Sequence, residues 1–148
     1  MKIVRLIPLL TAALSTAFAR PEYQPVDVRS LPDKISVRMH QTVRFTFDQR
    51  GDRLLNPRPV RGSQKQPAIM LQLTNEMGGG VSGVNILLLS SKYPKLLRCR
   101  GAAHFRGKPG FVTTGEYTIH PKDPTAERFK EPIEEFVVWD LRLTDERG

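Results

Sequence analysis

A thiol and an imidazole five residues apart, Cys99 and His104, are the first groups here that could do chemistry, because the pair can make an activated nucleophile. They sit in a stretch where Leu97 and Cys99 alternate with Arg98 and Arg100. On a regular strand, residues five apart face opposite sides and lie about 16 Å apart. Contact between them would need a bend at Gly101. Cys99 also shares the apolar phase of Leu97, which reads as a small buried hydrophobe, not a reactive thiol.

A second chemistry is metal binding. His40, His104, His120, Cys99 and four methionines raise the idea of copper, whose blue sites take two His, one Cys and usually an axial Met. No Met follows Cys99, and no second His follows it at ligand spacing, so no metal or other cofactor is expected. Gly78, Gly79 and Gly80 lack the helix and the Lys-Ser/Thr sequel of a phosphate loop and read as a hairpin connection. Arg50-Gly51-Asp52 spells an adhesion tripeptide, yet Gly-Asp is ordinary chemistry for a strand-ending turn. Glu134 and Glu135 are adjacent, so on a strand they face opposite ways and cannot act as an acid–base pair.

The basic residues give the clearest functional signal. Arg98 and Arg100 share one face of a strand, and Arg106 and Lys108 follow in the next turn. Arg50, Arg53, Arg58, Arg61 and Lys65 crowd a polar stretch, residues 49–66, read as one long loop. If that loop folds over the Arg98 face, Arg50, Arg53, Arg58, Arg61, Arg98, Arg100, Arg106 and Lys108 form an anion-attracting patch. The expected partner is an anionic glycan, a lipid head group or an acidic protein surface. Nucleic acid is disfavoured because few aromatics interleave with the arginines. The competing reading is a solvated face whose arginines pair with Glu127, Glu131, Glu134 and Glu135.

The elements that must position these groups read as strands. Period-two alternation buries Ile35, Val37 and Met39 in residues 34–39, Val43, Phe45 and Phe47 in 42–48, and Ile69, Leu71 and Leu73 in 68–74. Residues 84–89 are apolar on both faces, as in a central strand. Residues 95–105, 111–119 and 133–143 complete the set, the last with Val137, Trp139, Leu141 and Leu143 inward and Asp140 and Arg142 outward. Residues 120–132 read as a second polar loop with one helical turn at 124–129. Six to seven strands with turn chemistry between them predict an all-β fold. The expected form is an antiparallel β-sandwich of immunoglobulin-like architecture or a partly open barrel, without the Cys–Trp–Cys hallmark.

Residues 1–19 combine Lys2 and Arg5, an apolar run from Leu6 to Phe18, and small residues Ala17 and Ala19 at a cleavage site, the pattern of a signal peptide. No later apolar run is long enough to span a bilayer. The expected order is therefore leader (1–19), extended lead-in (20–33, with an edge strand at 26–28), strand domain (34–144) and charged tail (145–148), in a periplasmic or secreted protein.

Composition agrees with that order. The chain has 148 residues and a formal charge of +8, and one Cys excludes an intrachain disulfide framework. Residues 20–110 hold sixteen basic and six acidic side chains, whereas 111–148 hold five and nine. The function expected is non-catalytic binding or a structural role. The alternative is an exported enzyme or metal-handling protein using Cys99 and the histidines.

Overall fold

The computed structural model describes residues 23–63, 65–75 and 84–145. The leader at 1–19, the first residues of the lead-in (20–22), the glycine-rich connection at 76–83 and the end of the tail (146–148) lie outside the described residues.

Ten strands form: β1 (Pro25–Val26), β2 (Ile35–Arg38), β3 (Gln41–Arg50), β4 (Arg53–Pro59), β5 (Ile69–Asn75), β6 (Asn85–Ser91), β7 (Leu96–Phe105), β8 (Phe111–Ile119), β9 (Thr125–Phe129) and β10 (Ile133–Thr144). All pairings are antiparallel, and the order β1-β8-β7-β10-β4-β3-β5-β6-β9, with β2 also on β10, makes one continuous curled sheet. The curl brings the last strand back toward the other end, where the Thr125 hydroxyl donates to the Thr118 carbonyl at 3.0 Å.

Several expectations need correction. The described residues form ten strands, not six or seven. The stretch 49–66 is not one loop, because Arg53–Pro59 forms β4 against β3. The helical turn expected at 124–129 is instead β9, paired with β6. β4 carries Asn56, Pro57 and Pro59 and β9 carries Ala126 and Glu127, residues depleted in strands, so the strand is imposed by a neighbour already in place.

Alternation builds the interior. Ile35, Val37, Ile69, Leu71, Leu73, Leu87, Leu89, Leu97, Ile119, Ile133 and Phe136 are each at most 1% exposed and share one core. Its centre is aromatic: the Phe136 ring lies 5.9 Å from both Tyr117 and Phe129. Gly101 is required there, because a Cβ on it would come 2.5 Å from Phe136 Cζ and 2.7 Å from Tyr117 Cε2.

Extra residues shift the strand register in several places, and such bulges add twist and curvature to a sheet. On β10 the register slips between Trp139 and Arg142, with Asp140 at φ 53°. The slip changes which side chains face inward. Before it, Phe136 and Val138 point to the main core and Val137 and Trp139 to the outer face. After it, Leu141 and Leu143 point inward. Val137 and Trp139 therefore lie on the opposite side from Leu141 and Leu143, contrary to the single alternation expected. On β4 the bulge at Asn56, φ 53°, is tied by hydrogen bonds from its amide to Asp33 Oδ1 at 2.8 Å and from its side chain to Asp48 Oδ2 at 3.1 Å.

The outer face carries its own small apolar layer. The lead-in crosses it as β1 and a short 3₁₀ turn, Val28–Ser30, capped by Asp27 Oδ1 accepting from the Arg29 amide at 3.0 Å. Val26, Val28, Leu31 and Phe111 cover Ala102, Val137 and Trp139. The edge strand expected at 26–28 is thus a two-residue pairing at 25–26 followed by a turn.

The end strand β9 bears an inward charge. Glu127 is the register partner of the fully buried Leu87 and so faces the interior. Partial burial raises its carboxyl above the ordinary range. An inward-pointing charge on an end strand discourages pairing with a second sheet. Because the folded state holds the proton more tightly, this residue's contribution to stability is greatest below the unfolded carboxyl range. It falls as pH rises through the folded value. The melting-temperature gap between Glu127→Gln and the natural protein should therefore widen in favour of the variant from about pH 4 to pH 7. A constant gap over that range would contradict the assigned burial.

Candidate functional site

The β3–β4 hairpin closes through Gly51 and Asp52, with Gly51 at φ 59° where a side chain would be strained. This turn sets Arg50 directly opposite Arg53. Arg53 is in turn opposite Arg142 on β10, and Arg142 opposite Arg98 on β7. Cross-strand partners project to the same face. Arg50, Arg53, Arg142 and Arg98 therefore form one row across four neighbouring strands, spanning about 15 Å at the usual strand spacing. Arg100, two residues along β7 from Arg98, extends the same outer face toward Trp139, its own register partner. The Asp140 bulge is what puts Arg142 in the row, since without it this side chain would face the core.

Three acidic groups stand among the arginines. Arg142 Nε lies 2.9 Å from Asp140 Oδ1, and Arg100 Nε lies 3.4 Å from Glu116 Oε1 and 4.0 Å from Asp140 Oδ2. The bond to Asp140 raises the Arg142 pKa further, and Asp52 adds to it. Arg98, Arg100, Arg142, Glu116, Thr118 and Asp140 line a groove of about 490 Å³. The side chains of Arg100 and Arg142 are 56% and 44% exposed. Pairs this exposed contribute only about 0–1 kcal/mol each. An incoming anion can compete for these guanidinium groups at little cost.

The eight basic residues singled out from sequence do not form one patch. Arg50, Arg53, Arg98 and Arg100 come together. Arg58 lies farther along β4, where its Nη2 donates to Asp48 Oδ1 at 2.9 Å. Hydrogen bonds from Arg58 and Asn56 hold the Asp48 carboxyl below its usual range. Arg61 lies beyond the other end of β4, beside Arg44. Arg106 and Lys108 sit past the far end of β7, roughly 25 Å along the strand from Arg98. There Arg106 Nε is 3.8 Å from Glu134 and Lys108 Nζ 2.6 Å from Glu131. The pairing with Glu131 and Glu134 expected for a solvated face thus occurs at this end. Arg142 was missing from the sequence-derived set. Its outward position on β10 was legible, but not its neighbours.

No family model, curated protein or solved structure matches the chain.

The other chemistries are placed as follows. Cys99 is 3% exposed in the main core, and burial, reinforced by the charge of Asp140, pushes its thiol up to about 12. His104 projects from the opposite face of β7. Its Nε2 is 3.0 Å from the Lys108 carbonyl, and its Nδ1 is 3.6 Å from Glu134 Oε2. Among the described residues, no three His, Cys, Asp or Glu side chains converge as metal ligands. No helix among them is long and apolar enough to cross a membrane.

Proposed function

We propose that this chain is an exported, non-catalytic binding protein that holds an anionic partner on its outer face. The carrying observation is the arginine row, Arg50–Arg53–Arg142–Arg98. Guanidinium groups bind carboxylate, sulfate and phosphate through paired hydrogen bonds, and neighbours in a row act on one ligand together. Export rests on the leader pattern at 1–19. We further read the curled sheet as a sandwich of immunoglobulin-like kind, its two halves enclosing the single main core. Catalysis by Cys99 and His104 receives less support, because the two groups lie on opposite faces of β7.

Dextran sulfate is a suitable generic probe. Its affinity for the full chain should fall steeply as salt rises, because exposed charges are screened. The double variant Arg98→Ala, Arg142→Ala should weaken binding by at least about tenfold, given the strength of charge-assisted hydrogen bonds. The double variant Arg106→Ala, Lys108→Ala should change it by less than about twofold, as expected for surface groups already paired elsewhere. Absent or salt-insensitive binding, or an equal loss in both variants, would overturn the assignment.

A further inference from the structure

The arginine row is not a plain positive surface. Carboxylates are set among its guanidinium groups, with Asp140 2.9 Å from Arg142 and Glu116 3.4 Å from Arg100. A ligand that presents only anions would meet repulsion at Asp140 and Glu116. A ligand that alternates anions with hydroxyl groups would satisfy both kinds of side chain, because ionised carboxylates accept hydrogen bonds and guanidinium groups only donate them.

Shape narrows the ligand further. The row crosses four strands, so it matches an extended chain better than one compact head group. The lead-in stands on the same face beside it. A hollow of about 230 Å³ between Leu31, Pro32, Asp33, Arg53, Trp139 and Asp140 marks that boundary. The arginines therefore lie beside a part of the face that the lead-in already covers. At Arg100 the groove continues into a second hollow of about 230 Å³, lined by Gly101, Thr113, Gly115, Glu116 and Trp139. A side chain at Gly115 would meet nothing within 4 Å, so the space above it is open. Trp139 is nearly buried there, so what this hollow offers a ligand is open space over the backbone of Gly115, beside Thr113 and Glu116.

Resting on the anion-binding reading above, we infer that the ligand is a linear acidic polysaccharide of the polyuronate type. Arg98 and Arg142 take its carboxylates, Asp140 and Glu116 accept from its hydroxyls, and one ring enters the open hollow over Gly115.

The test compares three probes on the full chain at one ionic strength: polygalacturonate oligomers, polyacrylate of matched length, and phosphatidylglycerol vesicles. Polygalacturonate should bind about tenfold more tightly than polyacrylate, the difference expected when charged acceptors gain or lose hydrogen-bond donors. Glu116→Gln, an exposed change that leaves the core intact, should reduce that preference to about threefold or less while polyacrylate binds equally or more tightly. Equal affinity for polygalacturonate and polyacrylate, or a preference for vesicles, would overturn the polysaccharide inference and leave the anion-binding face standing. A preference unaltered in Glu116→Gln would overturn the assigned hydroxyl acceptor. Failure to bind dextran sulfate or any of these probes would overturn both readings.

Discussion

Phe136→Ala is expected to cost about 3–5 kcal/mol, the range for removing a buried aromatic ring. In a domain of this size that corresponds to a melting temperature lower by roughly 10–15 °C. The ring is fully buried, packs edge-on to Tyr117 and tilted against Phe129, and closes over Gly101. These neighbours belong to different strands, so the wall around the lost ring cannot collapse as a unit. Thermal or urea unfolding followed by the fluorescence of the single tryptophan would report the loss. A cost below about 1 kcal/mol would mean that the interior relaxes and that this ring is not its centre.

Trp139→Ala should be comparably severe, about 3 kcal/mol or more, but with a different signature. Its indole is 8% exposed and belongs to the outer layer with Val137 and Ala102. The residues that hold it down, Val26, Val28 and Leu31, come from the lead-in, which has only a two-residue strand pairing of its own. Losing the indole removes the main apolar anchor of that segment. The variant should be cut by protease within residues 25–33 under conditions where the natural protein resists, while the strand core still melts cooperatively. Unchanged protease resistance would show that the lead-in is held by other contacts. The phenylalanine variant should show the reverse, a global loss without selective cleavage at the lead-in.

The contrast between these two residues also shows how far the sequence could be read. Period two with one greasy face is a local signal. It placed Ile35, Val37, Phe47, Ile69, Leu71 and Leu97 in the interior, where the structure has them. It failed where a strand is defined by its neighbours. β4 contains Asn56, Pro57 and Pro59 and reads as a loop, yet it is held between β3 and β10. β9 is five residues long, with two charges, and exists because β6 pairs with it. The outward position of Arg98 and Arg100 was legible for the same local reason. Their grouping with Arg50, Arg53 and Arg142 was not, because register between distant strands decides it. Proximity in sequence joined Arg58, Arg61, Arg106 and Lys108 to the set, and topology removes them.

The slip at Asp140 makes β10 two half-strands of opposite phase in one backbone. The first half presents hydrophobic side chains to both layers at once, and the second presents them only inward while exporting Arg142. Removing that single extra residue would transpose everything downstream. Leu141 and Leu143 would turn to solvent and the guanidinium would enter the hydrocarbon interior. The composition of the segment would hardly change, yet core and arginine row would be lost together. Length, more than residue identity, is therefore the property of this strand on which both the interior and the charged face depend.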